Sequence, residues 1–464
     1  MIEGKISKLL PWVAAMAIFM QFLDSTILNT ALPSIANDLH KSPLDMQSVL
    51  IAYVLTLALL IPLSGWLSDK FGTKNIFILA VAIFTTGSFL CVLSVSLKML
   101  VFMRIIQAVG GAMMVPVSRL TLIYSYPKYQ LLRVINFITI PGLIGPVIGP
   151  TLGGWLVEIA SWHWIFLINI PIGIFGIIVA CKAVPNYKKK SGKFDFIGFL
   201  LFSLGLVLVS LSLEFAGEGM TSIINVLILL VLGLSFLFIY SIYSKKINNP
   251  IIDLNLFKIR TLRIGIIGNL ITRLGIGGVP LMLPLMLQVG FAKSPTVSGM
   301  LLIFSAISTI VAKSWVIPFV KKFGYRNLLI SNTIILGISI SLFSLPEKST
   351  SLLFFIPILI IYGFFNSIQM TSMNSVSLAD LTSHNASGGN TILSVTQQLS
   401  ISFGISLSSI ILRGFNLSNI FEDISSSFKA TLLILGVITV ASSFTFRYLK
   451  SGDGAEMSGM KKTS

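Results

Sequence analysis

The chain alternates long apolar runs with short polar breaks over nearly its whole length. The runs hold about 20 residues, the length that an α-helix needs to cross the ~30 Å hydrocarbon core of a membrane. Because lipid offers backbone groups no hydrogen-bond partner, the crossing segments must be helices. The pattern predicts fourteen spanning helices, at residues 11–32, 48–67, 75–93, 99–123, 134–159, 164–184, 194–215, 222–243, 262–289, 297–320, 328–345, 352–373, 391–411 and 430–448.

Two short sequences recur at one spacing and divide this series of helices. KSP occurs at 41–43 and 293–295, and KFG at 70–72 and 322–324, in both cases 252 residues apart. The repeat predicts an N-terminal six-helix half at 1–190 and a C-terminal six-helix half at 246–450. Two extra central helices occupy 191–245, and a cytoplasmic tail follows at 451–464. The predicted class is an all-α integral membrane protein.

Composition supports lipid as the main solvent of the chain. Hydrophobic residues make up 55% and charged residues 11%, with a mean hydropathy of +0.93, whereas a soluble domain is about 25% charged. The net charge of +17 suggests nucleic acid as a partner only if basic residues gather on one face. They are spread over alternate loops instead, so we expect no nucleic-acid partner.

The distribution of Lys and Arg predicts the orientation, because loops on the cytoplasmic side of membranes are rich in both. With the N-terminus inside, the predicted inner loops hold most of the basic residues. The outer loops then hold only Lys41, Lys98, Lys293, Lys348, Arg413 and Lys429. Both termini are therefore predicted to be cytoplasmic.

Enzyme chemistry finds no support in the sequence. The chain has three His and no HExxH, nucleophile elbow or P-loop. Cys91 and Cys181 have no metal-binding spacing. We expect no enzyme activity, no cofactor and no metal. Without a nucleotide-binding motif, any transport must be driven by an ion gradient, most simply of protons.

The segment GWLSDKFGTK at 65–74 joins two predicted spans through a very short, charged connection. Glycine permits a tight turn there, and an aspartate can cap or pair with a helix start. The segment resembles the loop motif between the second and third helices of the major facilitator superfamily. That resemblance implies a latch for one of two alternating states, formed by Gly65, Asp69, Lys70, Gly72 and Lys74. A short loop that merely needs glycine and positive charge is the alternative.

Asp24 and Arg104 are the charged residues that lie deepest in the first predicted half. A charge at mid-membrane costs about 2.5–3.5 kcal/mol on insertion scales, which argues for a function. The sequence around Asp24, LDSTILNTALP, resembles the first-helix motif of the fourteen-helix drug:proton antiporters of the superfamily. Arg104 matches a fourth-helix motif, although Ala108 stands where glycine is usual. The resemblance implies proton coupling by this pair; a packing salt bridge and a snorkelling arginine are the alternatives.

The fifth predicted span contains PGLIGPVIGPTLGG, in which small residues recur every three or four positions. Such spacing lets two membrane helices approach closely, and prolines bend the helix. The run resembles the antiporter motif of the superfamily, which is associated with export. Close packing without a transport role is the alternative. The motif residues are Gly142, Gly145, Pro146, Gly149, Pro150, Gly153 and Gly154.

Other polar residues within the spans are candidates for a substrate cavity. They can bind a ligand or simply hold helices together. The deep charges are one acid, Asp24, and two cations, Arg104 and Arg273. This balance favours a neutral, anionic or amphipathic substrate over a dicationic one. The candidates are Asn29, Gln107, Arg273, Gln288, Asn366 and Gln369.

The resemblance implies the major facilitator fold, with two six-helix halves plus two extra helices, in the bacterial cytoplasmic (inner) membrane. It also implies a monomeric, proton-coupled exporter of small amphipathic compounds or drugs that works by alternating access. The expected partners are a small-molecule substrate, protons and the lipid bilayer. Two alternatives stay open: a transporter of a specific metabolite, such as a siderophore or organic acid, and a non-transporting membrane receptor or scaffold.

Overall fold

A computed structural model of the chain describes residues 8–126, 128–188, 194–218, 222–247, 250–381, 385–418, 420–421, 423–450 and 452–454. Every regular element in these ranges is a helix, and they contain no strand. The chain forms two compact units, Met1–Phe194 with Ser294–Met300 and Asp195–Lys293 with Leu301–Ser464.

Seven helices make up most of the first unit: α1 (Leu10–Asp38), α2 (Gln47–Phe71), α3 (Thr73–Val92), α4 (Leu97–Ser125), α5 (Lys128–Ile159), α6 (Trp164–Leu167) and α7 (Asn169–Ala183). Helix α1 packs mainly on α5 and also contacts α4 and α7, while α4 packs on α2 and α3. Small residues permit this close packing. A Cβ at Gly87 or Gly110 would press on the main chain of the facing helix, at Gln107 and at Phe84.

The second unit contains α8 (Phe196–Glu218), α9 (Ile223–Ser244), α10 (Arg260–Ile276), α11 (Val279–Leu285), most of α12 (Pro295–Leu342), α13 (Phe355–Leu378), α14 (Ala386–Leu417) and α15 (Ile424–Ser442). The first residues of α12, up to Met300, belong to the first unit. A π-helical turn, Met286–Gly290, follows α11, and a 3-10 helix, Ser443–Tyr448, follows α15. Helix α10 packs on α13, α14 and α15.

Helices α8 and α9, the two extra helices of the sequence analysis, pack on each other, and α8 also contacts α14. Their ends are tied together at Asp195. The hydroxyl of Tyr243 donates to Asp195 Oδ1 at 2.8 Å, and the Gly198 N–H donates to the same oxygen at 2.8 Å. Within the second unit, the pair packs on α14 through α8.

The 252-residue repeat reappears in the backbone conformation. Gly72 and Gly324 have φ values of 99° and 71°, and His40 and Ala292 both have a φ of 52°. His40 and Ala292 are the non-glycine residues of the described ranges with positive φ. Residues other than glycine rarely adopt a positive φ. The two pairs of positive-φ residues, each 252 residues apart, therefore support the repeat.

Twelve helical segments within the described residues are long and apolar enough to cross a membrane. One of them, Pro295–Leu342, has 48 residues and is interrupted by the non-helical backbone of Gly324. A shorter apolar stretch, Ile144–Ile159, belongs to α5. The protein is thus an all-helical, multi-pass membrane protein, and the count of fourteen spans stays a prediction.

Candidate functional site

Asp24 on α1 and Arg104 on α4 form an ion pair inside the first unit. Asp24 Oδ2 lies 2.7 Å from Arg104 Nη1, and each side chain is only 1% exposed. Burying either charge alone would be very unfavourable, because neither lipid nor the protein interior replaces its hydration. Each residue therefore supplies the counter-charge that the other needs.

Gln107 completes a closed arrangement around the ion pair. Its Oε1 accepts from Arg104 Nη1 at 2.6 Å, and its Nε2 donates to Asp24 Oδ1 at 2.8 Å. The same amide also donates to Ser88 Oγ on α3 at 2.7 Å. Gln107, predicted as a cavity residue, is thus engaged in holding both partners of the ion pair.

Asn169 and Ser88 belong to the same network, although the sequence analysis did not select them. Asn169 Nδ2 donates to Asp24 Oδ1 at 3.0 Å and to Ser88 Oγ at 3.4 Å. Both residues are fully buried. Asn169 opens α7, in the otherwise apolar stretch INIPIG at 168–173. An amide in such a stretch was the signal that could have identified it, since buried polar groups seek partners.

Aromatic rings cover the Arg104 guanidinium. Arg104 Cζ lies 4.1 Å from the ring centre of Tyr53 on α2 and 5.8 Å from that of Phe166 on α6. The ring faces attract a cation, so they add to the attraction of Asp24. The Tyr53 hydroxyl is buried and has no hydrogen-bond partner among the described residues. The network therefore joins α1, α3, α4 and α7 through hydrogen bonds, with α2 and α6 in contact through rings.

The two members of the ion pair differ in whether their charge is fixed. Arginine stays charged at any physiological pH, so Asp24 is the member of the ion pair that can change charge. As a carboxylate, Asp24 attracts Arg104 and accepts hydrogen bonds from Arg104, Gln107 and Asn169. The bonds to this single carboxylate thus join three helices, α1, α4 and α7.

The glycines of α5 face the helix that carries Asp24. A Cβ at Gly145 would lie 2.9 Å from the Leu23 nitrogen, and one at Gly149 or Gly153 would overlap α1 at Thr26 or Ile27. Gly142 faces Ile18 in the same way, and Thr30 Oγ1 donates to the Pro150 carbonyl at 3.0 Å. These motif residues therefore bring the α5 and α1 backbones together on both sides of Asp24.

Gly154 and Pro150 also face the start of α12, at the residues that belong to the first unit. A Cβ at Gly154 would overlap the carbonyl of Pro295, and one at Gly299 would overlap that of Pro150. Thr151 Oγ1 donates to the Gly299 carbonyl at 3.0 Å. Pro146 lies inside the helix with Pro141 and Pro150. Both faces of the motif thus make close backbone contacts.

The connection between α2 and α3 is shorter than predicted, since α2 continues through Asp69 and Lys70 to Phe71. Gly72 alone leaves the helical conformation, with a φ of 99°. Asp69 accepts from the Tyr124 hydroxyl of α4 at 3.3 Å, and Lys70 Nζ lies 4.5 Å from the ring centre of Trp66. A Cβ at Gly65 would meet nothing within 4 Å, so close packing does not require glycine there.

The segment after α7 packs on this connection, a contact that the sequence did not reveal. Thr73 N–H donates to the Tyr187 carbonyl at 3.0 Å, and Lys74 N–H donates to Asn186 Oδ1 at 3.2 Å. Lys74 Nζ also donates to the Cys181 carbonyl at 2.5 Å. Asn186 occupies the space that a Cβ at Gly72 would need. The exit from the last helix of the first unit is therefore fixed to the predicted latch.

Arg273 of the second unit has no acidic partner among the described residues. Arg273 is half-buried on α10, and its Nε donates to the fully buried Asn269 at 3.2 Å. No carboxylate of the described residues forms a salt bridge with it. A partly buried cation of this kind is a functional-site candidate, because an anion would offset its desolvation.

The remaining cavity candidates differ in their surroundings. Gln369 is fully buried and bonded to Asn332 and Thr333 at 2.8 and 2.7 Å, an arrangement that joins helices. Asn366 has a buried Oδ1 without a partner among the described residues. Gln288 is half-buried in the π-helical turn, a feature often found at functional sites, and Asn29 is half-buried on α1.

Residues 14–245 match the family model of the Major Facilitator Superfamily. The chain is also 43% identical over 459 residues to a Haemophilus influenzae protein named "Probable transport protein HsrA", and the match covers 99% of both chains. The chain belongs to the major facilitator superfamily. This confirms the family that the motifs predicted, and the protein is a membrane transporter rather than an enzyme.

Two further groups of proteins are similar to this major facilitator. It is 40% identical over 442 residues to a protein of Escherichia fergusonii named "Putative multidrug resistance protein MdtD", covering 94% of this chain and 93% of the relative. Among solved structures, a variant of the nucleoside transporter NupG matches 95% of this chain with a TM-score of 0.68 and 14% identity. A POT family transporter gives a TM-score of 0.67 at 12% identity over 95% of the chain. At these identities the solved structures show the shared fold alone.

Proposed function

We propose that the protein is a proton-driven exporter of small amphipathic compounds, including drugs. The observation that carries the proposal is the buried network in which Arg104, Gln107 and Asn169 all bind the Asp24 carboxylate. A buried acid with one fixed cation is suited to exchange a single proton. The multidrug-resistance name of the MdtD relatives supports drugs as substrates.

In the proposed cycle, Asp24 takes up a proton from the outer side and becomes neutral. Arg104 then keeps Gln107 and the Tyr53 ring but loses its counter-charge. Helix α1 is freed from α4 and α7 while α5 continues to hold it along the glycine face. The resulting shift of α1 favours the other alternating-access state. Release of the proton to the inside restores the ion pair, and substrate leaves to the outside in the opposite state of the cycle.

For substrate recognition we propose Arg273 with Asn269, assisted by the polar groups of Gln288 and Asn366 in the same unit. Asn29, on α1 of the first unit, stays a separate predicted cavity residue. An arginine without an acidic partner favours a substrate with a negative or strongly polar end and opposes a dicationic one. The engaged side chain of Gln369 supports a packing role for that residue. The same observation on Arg273 favours a second candidate function, the transport of a specific organic acid.

We also propose that the residues Gly65, Asp69, Lys70, Gly72 and Lys74 act as a latch of one transport state. The bonds from Thr73 and Lys74 to residues 181–187 support this role, because they connect the loop to the end of the first half. We further propose fourteen spanning helices, formed when Gly324 divides Pro295–Leu342 in two and α5 crosses as well. The protein would be a monomer in the bacterial inner membrane, with both termini cytoplasmic.

A flux assay in proteoliposomes tests the proposed function. Purified protein is reconstituted, a pH gradient is imposed, and a panel of neutral, anionic and cationic amphipathic compounds is tested for uphill movement and for proton flux in the opposite direction. We expect at least one compound to move against its gradient while protons move across the membrane in the opposite direction. Downhill movement with no proton flux for any compound would contradict proton coupling, and no flux at all would favour a receptor or scaffold.

A further inference from the structure

A cleft of about 480 Å³ lies in the second unit, between the start of α10 and the 3-10 helix Ser443–Tyr448. We call it the arginine cleft. Its main lining residues are Arg260, Arg263, Ile264, Ile267, Phe444 and Tyr448. The volume is in the range of pockets that hold small molecules, and none of these residues takes part in the proposed transport site.

The lining is ordered along α10 from charged to apolar. Arg260, Arg263, Ile264 and Ile267 follow the i, i+3, i+4, i+7 spacing of one helix face. At 1.5 Å per residue, Ile267 lies about 10 Å further along the axis than Arg260. Because α10 begins a candidate span and Tyr448 ends another, the arginines lie near the membrane surface and the isoleucines lie toward the hydrocarbon.

The charges in the cleft leave positive charge available for an anion. Arg260 is paired with Asp453, which also accepts the Lys450 N–H at 2.9 Å. Arg263 is exposed and forms no salt bridge with a described carboxylate. Arg447 does not line the cleft but lies beside it, with its guanidinium 4.4 Å from the ring centre of Phe444. Asp453 offsets only one of the three cations.

The walls suit a chain-bearing ligand. Phe444 and Tyr448 are 57% and 76% exposed, and such rings favour the interface between headgroups and acyl chains. Next to these residues α10 packs closely on the 3-10 helix, since a Cβ at Gly268 would lie 2.5 Å from the ring of the buried Phe446. A free, hydrated phosphate would gain nothing from Ile264, Ile267 or Phe444.

We propose that the arginine cleft binds an anionic phospholipid of the adjoining leaflet. Arg263, with Arg260 behind it, holds the headgroup phosphate as a charge-assisted hydrogen-bond donor. The upper acyl chain lies along Ile264, Ile267 and Phe444, and Tyr448 borders the glycerol region. A zwitterionic headgroup would bring its own cation toward Arg263 and Arg447, so it would bind more weakly.

Native mass spectrometry of the full-length protein in neutral detergent tests this proposal without relying on transport. The protein is titrated with phosphatidylglycerol and with phosphatidylcholine of the same acyl chains. We expect preferential binding of phosphatidylglycerol, weakened about fivefold by Arg263→Gln, which is the effect of one basic residue near a membrane surface. Arg326→Gln, at an exposed position on α12, is the matched control and should bind as the parent does.

Two further measurements separate a lipid from a soluble anion. Ile267→Ser should weaken the binding of phosphatidylglycerol but leave unchanged how well soluble glycerol phosphate competes with that lipid. If Arg263→Gln folds poorly, Tyr448→Ser tests the opposite wall of the cleft. Equal binding of the two lipids, full binding by both Arg263→Gln and Tyr448→Ser, or equally strong competition by glycerol phosphate would each overturn the proposal.

Discussion

Asp24 and Arg104 are 80 residues apart in the chain, yet Asp24 Oδ2 lies 2.7 Å from Arg104 Nη1 and both side chains are almost fully buried. Gln107 bonds to both members of this ion pair, and Asn169 bonds to the acid. Removal of one partner from a buried pair leaves an uncompensated charge, which usually costs about 3–5 kcal/mol. The pair is therefore sensitive to the loss of either member.

Asp24→Asn should abolish uphill export under a pH gradient while downhill exchange of substrate continues. The amide can still accept a bond from Gln107 or Asn169, but it cannot take up and release a proton. Stability should fall by about 3 kcal/mol, because Arg104 loses its counter-charge. Proteoliposome flux and thermal unfolding in detergent measure the two effects. Glu347→Gln, which removes an acid from an exposed loop, is the control, and uphill export by Asp24→Asn at the parental rate would contradict the role of Asp24.

Arg104→Lys should keep part of the stability but reduce export. Arginine Nη1 bonds to both Asp24 and Gln107, and the planar group lies over the Tyr53 ring, whereas lysine offers a compact charge without that geometry. Arg104→Met should be less stable than Arg104→Lys, because Asp24 then lacks any cation. The unfolding temperature and the export rate should both fall in the order parent, Arg104→Lys, Arg104→Met. Equal export by the parent and the Lys variant would show that a positive charge alone suffices.

Tyr53→Phe should leave export intact and stabilise the protein by about 1 kcal/mol. The ring contact with Arg104 is kept, and a buried hydroxyl without a partner is removed. Tyr53→Leu, which removes the ring, should reduce stability and serves as the comparison in the same unfolding assay. A Phe variant that folds normally but fails to export would instead assign the hydroxyl to proton transfer.

Gly153→Ala should lower stability by about 1–3 kcal/mol and reduce export, because its Cβ would overlap the Ile27 carbonyl and push α1 away from α5. Gly414→Ala is the matched control, since that glycine is helical and has open space around it. Alanine there should be neutral or stabilising by up to about 1 kcal/mol. Equal unfolding temperatures for the two variants would argue against close α1–α5 packing.

Gly72→Ala should disturb the connection between α2 and α3 for two separable reasons. Alanine is strained at a φ of 99°, and its Cβ would overlap Asn186. Asn186→Ala in the same chain should recover the part of the loss that comes from overlap, while the backbone cost of about 1–2 kcal/mol remains. A double-mutant cycle on thermal unfolding measures the coupling; full additivity would show that Asn186 does not limit residue 72.

Several elements could be read from the sequence because they depend on local pattern. Apolar runs predicted the helices, and the recurrence of KFG predicted that Gly72 and Gly324 hold equivalent positions, as their positive φ values show. Asp24 and Arg104 were selected because a charge in an apolar span is costly. The end of α2 was misplaced by several residues, since the pattern around Asp69 and Lys70 is polar although the backbone there is still helical.

The partners within the site were not accessible from the sequence. Asn169, Ser88 and Tyr53 lie on three different helices and have no spacing that relates them to Asp24. The sequence predicts Gln107 as a substrate-cavity residue, whereas its amide bonds to both members of the ion pair. Nothing in the chain near Gly72 indicated that residues 185–187, more than a hundred positions away, would pack against it.

The sequence by itself determined that the chain is a helical membrane protein built on a repeat, because hydrophobic length and glycine placement act locally along the backbone. Only the tertiary structure decided which polar groups meet. Side chains of two other helices donate hydrogen bonds to Asp24. In contrast, no carboxylate of the described residues forms a salt bridge with Arg273. The reason is physical, because a buried charge is stabilised by a donor or counter-charge that helix packing brings within about 3 Å. Which group comes that close depends on how the helices rotate and approach one another, and the spacing of residues along the chain does not specify this.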